Sequence, residues 1–461
     1  MAYSDSSVDK VTSNISTVTW TGDGSDTNDI TGVGFNADLV WIKKRGSSGS
    51  HVLTNSVYGH TKYTSIDSSS SRSDFTMISN KGNDGYRVAN HTWTNHGSQT
   101  FCGWNFKAGG TTPSQTYTVT VVSSGGNKYR FDGNSNNAVT LDLQEGGTYT
   151  FDQSHSSNAG HPLRFSTTSN GTHGGGSEYT TGVTTNGTPG SSGAYTRITI
   201  AASAPTLYYY CTQHSGMGGQ INTQDTLHGS SQVTGSIQSV ASVHATGAMS
   251  IVKYEGSFSS GQTVGHGMGR APELILFKNT DNNEDWLVYN DDIGAGTHFM
   301  RVKNQSVVQD NGPFDNTAAT TTNFAVGHNY NTNHQSMIAY CFASVPGFCS
   351  VGAWTGNGSS DGPFVYTGFR PTWIMHKDSN STEHWQIKDT TRRTINPNYH
   401  PLYPSLDNAE GSNTNSSIDF LSNGFKIRNN DGSHNTSTNK YVYVAFGQTL
   451  VGSNDVYTKA V

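Results

Sequence analysis

Apolar residues in this chain fall in short runs, separated by long polar stretches rich in Gly, Ser, Thr and Asn. One run recurs three times, as Asp38-Leu39-Val40-Trp41-Ile42-Lys43, Glu273-Leu274-Ile275-Leu276-Phe277-Lys278 and Thr372-Trp373-Ile374-Met375-His376-Lys377. Each is short, β-prone and bounded by a Gly-containing turn, which reads as a buried strand. A second strand follows each: His51-Val52-Leu53, Asp285-Trp286-Leu287-Val288-Tyr289 and His384-Trp385-Gln386-Ile387. Then comes a Phe-led segment, at Phe75, Phe324 and Phe425, and an aromatic closing strand ending at Phe106, Phe342 and Phe446. In the last of these, Tyr441, Tyr443 and Ala445 alternate with Val442, Val444 and Phe446, the period of a half-buried strand.

The spacing divides the chain into β-sandwich repeats at 16–110, 248–346 and 349–452. Repeats two and three abut through Ser344-Val345-Pro346-Gly347 and are expected to pack as a rigid pair. Residues 116–224 break the pattern and form a domain of their own. A Ser/Thr/Gly/Ala-rich stretch at 225–247 reads as a linker with room for one short strand, with an N-terminal arm at 1–15 and a C-terminal tail at 453–461. No amphipathic helix is visible. The fold class expected is all-β, a series of β-sandwich or jelly-roll domains.

Composition sharpens this picture. Only 13% of the 461 residues are charged and 32% are hydrophobic. Such values suit a disordered chain, but 8 Trp, 22 Tyr and 19 Phe demand packed cores. A net charge of −6 without any Lys/Arg run argues against nucleic-acid binding. No apolar stretch is long enough to insert in a membrane, and the first residues lack a secretory pattern. Four cysteines do not make a disulfide scaffold; Cys102 and Cys341 read as buried apolar residues, and no Cys341–Cys349 bridge is expected.

Chemistry concentrates in the odd domain. Asn158-Ala159-Gly160-His161-Pro162 is followed, some fifty residues on, by Tyr208-Tyr209-Tyr210-Cys211-Thr212-Gln213-His214-Ser215-Gly216-Met217. A thiolate, two imidazoles and a thioether form a soft donor set suited to copper. In order and spacing the segment resembles the cupredoxin family, with the shortest ligand loop. That resemblance implies a cupredoxin-like fold for 116–224 and His161, Cys211, His214 and Met217 as ligands. An alternative is a sandwich kept for shape, with an apolar cysteine in its core. A Gly/Ser/Thr-rich excursion from Ser169 to Gly193 is long enough to lie over the site, and Gly174-Gly175-Gly176 reads as a plain flexible loop.

The repeats carry a second resemblance. Thr263-Val264-Gly265-His266-Gly267-Met268-Gly269, Gly362-Pro363-Phe364-Val365-Tyr366-Thr367-Gly368-Phe369-Arg370-Pro371 and Asp419-Phe420-Leu421-Ser422-Asn423-Gly424-Phe425 resemble modules of structural proteins from tailed phages of marine bacteria, including cyanobacteria. The resemblance implies a virion component assembled in the host cytoplasm: a tail fibre engaging a host glycan or receptor, or a head fibre or capsid decoration. Partners would be other virion proteins and further copies of the chain. A copper electron-transfer protein is the alternative from another class.

Remaining candidates are weaker. Trp286 and Trp385 occupy equivalent positions; they read as core or as stacking platforms for glycan or receptor. Asp23, Asp26 and Asp29, and Asp281, Glu284 and Asp285, read as solvated turns or as oxygen ligands for a hard cation. No catalytic signature is present, so no enzymatic activity is expected.

Overall fold

A computed structural model describes residues 14–109, 114–223, 229–303, 306–309, 312–327 and 334–448. The molecule is nearly all β, as expected. Each repeat has a four-stranded antiparallel core sheet with one strand order. In repeat one this is Ile15–Thr21, Thr100–Phe106, Leu39–Lys44 and Val52–Asn55. In repeat three it is Cys349–Thr355, Lys440–Gln448, Arg370–Asp378 and Gln386–Asp389. In repeat two the same four, Met249–Glu255, Ser336–Phe342, Leu274–Asn279 and Leu287–Asn290, sit within an eight-stranded sheet. A small two- or three-stranded sheet covers the outer face of each.

The inner faces of all three sheets share one core. Leu39, Trp41 and Trp104 meet Leu274, Leu276 and Tyr340, and Trp373, Met375 and Val444. The alternate positions, Val40 and Ile42, Ile275 and Phe277, and Ile374, face each repeat's own outer core. Both faces are therefore buried, which is why these strands read as continuous apolar runs. The half-buried reading of Tyr441–Phe446 is corrected accordingly: Val442, Val444 and Phe446 enter the shared core, while Tyr441, Tyr443 and Ala445 enter the core of repeat three.

The repeats close into a ring with three-fold pseudosymmetry. A loop of each repeat reaches the hairpin of the next through an equivalent backbone hydrogen bond. Arg72 N donates to Thr280 O at 2.7 Å, Val307 N to Ser379 O at 2.7 Å, and Glu410 N to Arg45 O at 2.9 Å. The lysine ending each apolar phrase now has a reason. Lys43 Nζ donates to Gly49 O and, across the interface, to Asp407 O at 2.9 Å; Lys278 Nζ reaches Ser69 O at 2.8 Å. Lys377 Nζ binds Ser381 O and Glu383 O of its own hairpin. Burial brings each ammonium down to about 8, so all three stay charged at neutral pH.

The ring has two unlike ends. Phe106, Phe342 and Phe446 meet at one, with centroids 5.5 and 5.9 Å apart across the two Phe446 pairs. The register puts every entry strand's start there too: Ile15 pairs with Phe106, Met249 with Phe342 and Cys349 with Phe446. Entry to the ring, the departure from repeat one after Phe106, the repeat two–three link and the end of the last strand all lie at this end; the return from the inserted domain at Ser230 pairs with Ala241 and through it with Val252, midway along the repeat-two sheet. The opposite end carries the three hairpins.

The domain between repeats one and two is a mixed sandwich. Five strands (Val183–Asn186, Tyr195–Thr199, Thr148–Asp152, Ser114–Ser123, Asn127–Phe131) face four (Leu141–Asp142, Gln220–Asn222, Leu207–Cys211, Leu163–Ser166) over an aromatic core. Tyr117 Oη donates to Ser231 O at 2.9 Å and Asn134 Nδ2 to Gly235 O at 2.8 Å, tying the domain to repeat two.

Three further expectations are corrected. The linker holds two strands rather than one: Ser230–Gln232 and Ser239–Val243 extend the repeat-two sheet, and Ser230 and Ser231 hydrogen-bond the inserted domain at Tyr149 and Asp142. The counterpart of Phe324 and Phe425 is Tyr86, on Gly85–Val88; Phe75 precedes that hairpin and is 43% exposed. The Gly174–Gly176 run is a tight turn, since a Cβ on Gly174 would lie 2.2 Å from Ser169 O. Most of the terminal arm and all of the tail lie outside the described residues.

Candidate metal centre

The inserted domain places its ligand candidates at the pole away from the ring. Ser114 pairs with Thr148 near the junction, and both strands run outward, to the Ser123–Asn127 hairpin and to Asp152. Beyond Asp152 a turn at Ser156–Asn158 leads to His161. It is pinned from beneath, since Asn158 Nδ2 donates to Val119 O at 2.7 Å. His161 O accepts from Tyr129 Oη at 2.9 Å and from Gln153 Nε2 at 2.8 Å.

Cys211 ends a strand that sends Leu207, Tyr209 and Cys211 into the core. The chain then doubles back so tightly that a Cβ on Gly218 would lie 1.7 Å from Tyr209 O. That return brings His214 beside His161. Cys211 Sγ lies 3.9 Å from His161 Nδ1 and 3.7 Å from His214 Nδ1, and all three donor atoms lie within 4.8 Å of one another. The imidazole centroids are 4.5 Å apart. Cys211 is buried, His161 half-buried and His214 exposed. Burial, then the neighbouring His214, lowers the His161 pKa and favours the neutral imidazole that ligates metals. Met217 is buried in the same core, and its carbonyl accepts from Tyr129 N at 3.0 Å.

The donor set fits a metal ion. An ion about 2.05 Å from nitrogen and about 2.3 Å from sulfur separates those atoms by about 3.8 Å when they subtend about 120°. The observed 3.7 and 3.9 Å are that separation. Two imidazoles and a thiolate, with a thioether on the same loop, suit copper, which would supply one-electron redox chemistry when bound.

The other sequence candidates do not converge. Asp23 accepts from Ser25 N and Asn95, Asp26 from Asn90 N, and Asp29 pairs with Arg87. Asp281 accepts from Ser336 N and Asp285 faces Arg301, while Lys278 binds the Glu284 carbonyl. Trp286 and Trp385 are corrected as contact platforms. They are 1% and 0% exposed in the shared core, because their strand lies under the neighbouring repeat; Trp286 Nε1 donates to Ser65 O at 2.9 Å. All four cysteines are free and buried. Sequence reasoning missed Lys128, Tyr129, Asn170 and His173 around the ligand loop, which no local pattern links to the motif.

One family model, a domain of unknown function (DUF7483), matches residues 10–145 and 221–449. The chain belongs to the DUF7483 family. Neither a curated protein nor a solved structure matches it. The match spans the three ring repeats and skips 146–220, the segment holding His161, Cys211, His214 and Met217. The match also takes in the inserted domain's strands Ser114–Ser123, Asn127–Phe131 and Leu141–Asp142.

Proposed function

We propose that this DUF7483 chain is a non-enzymatic surface protein of a phage particle, a fibre or decoration that mediates adhesion to the host cell. The observation that carries this reading is the polarity of the ring. The chain enters the ring, leaves repeat one and passes from repeat two to repeat three at one end, which leaves the hairpins of the other end to face a partner. Beside the repeat-one hairpin at that free end lies a surface array of Tyr63, Trp93, His91 and Phe75, with successive centroids 6.1, 5.1 and 5.3 Å apart. In repeats two and three the hairpin tryptophans, Trp286 and Trp385, are buried in the shared core. Immunogold microscopy on purified particles, with antibody against 248–452, tests the assignment. Label at the tail or on the capsid separates fibre from head decoration; unlabelled particles beside detectable soluble protein overturn the reading. Phe75→Ala with Trp93→Ala should reduce binding of the purified protein to host cells at least tenfold.

A second reading, favoured by the convergence of His161, Cys211 and His214, is copper binding in the inserted domain. Titration with copper(II) should produce an intense visible thiolate-to-copper band at one equivalent, absent in Cys211→Ser. No band in the native chain refutes it.

A further inference from the structure

The excursion after the first ligand strand does more than lie near the site. Asn170 reaches the ligand loop with both ends of its amide: Oδ1 accepts from Gly216 N at 2.8 Å, and Nδ2 donates to Ser215 Oγ at 2.8 Å. His173, on the same turn, donates from Nε2 to Cys211 O at 3.0 Å. From the other side, Lys128 Nζ donates to Gly216 O. The turn fits only without a side chain at Gly171, where a Cβ would lie 2.4 Å from the Tyr210 ring. Asn170 itself sits at φ +62°, a left-handed conformation that asparagine tolerates better than most residues.

These contacts hold Cys211, Ser215 and Gly216 from outside the loop, and none passes through a metal. We infer that Asn170 is a positioning residue, assisted by His173, that preforms the metal-ligand loop before any ion binds. The inference rests on the metal-binding reading and adds to it a clamp drawn from a different part of the chain. Between Cys211 and Met217 the loop contains Gly216 at φ +73° and little apolar anchorage. Without the clamp, binding would have to order His214 relative to Cys211, and that conformational entropy would be lost from the affinity.

The test uses the full chain and cobalt(II), which forms thiolate bands without oxidising the cysteine. Asn170→Ala should weaken cobalt binding by about 10–100-fold, the usual cost of losing a residue that orients a ligand. Asn170→Asp keeps the acceptor for Gly216 N and should fall between. Hydrogen exchange of the metal-free protein supplies an independent readout: the Gly216 amide should be protected in the native chain and exchange freely in Asn170→Ala. Equal affinity and an unchanged spectrum in both variants would overturn the inference, as would an unprotected Gly216 amide in the native chain. Absence of any thiolate band in the native chain instead defeats the metal-binding reading, leaving exchange to decide the clamp. Should Asn170→Ala fail to fold, Asn170→Asp and native exchange carry the decision.

Discussion

The interface between repeats three and one closes the ring without a direct chain connection, and a buried ionic network holds it. Asp389 has no exposed side-chain surface. Its Oδ2 accepts from Arg392 Nε at 2.5 Å and from Trp104 Nε1 of repeat one at 2.9 Å. Its Oδ1 accepts the backbone N–H of Thr391 and Arg392 at 3.1 and 2.8 Å. Arg392 continues to Glu410 at 2.7 Å, and Glu410 to Arg45 of repeat one at 2.5 Å. Asp389→Ala leaves a buried guanidinium short of a partner, at a cost of about 3–5 kcal/mol. It also orphans the Trp104 N–H, at a cost of about 1–3 kcal/mol. The two share one acceptor atom and do not add, so about 4–6 kcal/mol is expected. Asp389→Asn keeps one acceptor oxygen, for the indole or for the two backbone N–H groups but not for both, and turns an NH2 donor toward the other set, so it should recover little of the loss. Urea unfolding followed by tryptophan fluorescence would measure both. The double variant Asp389→Leu with Arg392→Met removes both charges together and should recover much of the loss. If Asp389→Ala unfolds within about 1 kcal/mol of the native chain, the network does not hold this interface and the closure argument fails.

Acid should open the molecule well before its carboxylates are all protonated. Burial holds His51, His376 and His434 well below 6.5, and His244 and His266 at about 4. A depressed histidine pKa means that the unfolded chain takes up protons first. The stability is therefore intact above about 6.5 and is lost as pH falls toward 4, at about 3 kcal/mol each for His244 and His266. The melting temperature should fall steeply across that window; a flat profile down to pH 4 refutes the buried neutral imidazoles. Separately, Gly218→Ala should unfold the ligand loop, because its Cβ would overlap Tyr209 O; near-ultraviolet circular dichroism of the inserted domain reads this, and an unchanged spectrum refutes it.

Much of this was legible because it is local. The three apolar phrases, their terminal lysines and the closing strands are patterns within a few residues. So is Cys211-x-x-His214-x-x-Met217, to which the cupredoxin resemblance added His161. What stayed hidden is what depends on distant segments meeting. An apolar run with both faces buried looks the same whether its second face meets its own small sheet or a neighbouring repeat, so three sandwiches in series and a ring share one pattern. Trp286 and Trp385 read first as core, which the structure bears out; the contact alternative stayed open because nothing near them in sequence announces the neighbour that covers them. Phe75 aligned with Phe324 by residue type, whereas the hairpin register assigns that place to Tyr86. Asn170 bonds to loop residues more than forty positions away, beyond any motif.

Carrying three repeats in one chain, rather than assembling three copies, lets the interfaces diverge. At the end of each second strand stands Asn55, Asn290 or Asp389, and two residues before each axial Phe stands Trp104, Tyr340 or Val444. Asn55 Nδ2 donates to Tyr340 Oη at 3.0 Å, and Asp389 accepts from Trp104. Asn290 corresponds to the junction with Val444, which has no polar side-chain atom, and its Nδ2 is buried without a partner. The same place in the pseudosymmetry is thus a neutral hydrogen bond, a charged network and an unpaired donor. In a homotrimer every substitution would appear three times, and an unpaired buried donor would cost about 1–3 kcal/mol at each interface. Within one chain the ring bears that cost once. The same freedom lets a domain carrying the His161, Cys211 and His214 cluster stand between repeats one and two, with no counterpart between repeats two and three, which abut at 344–347.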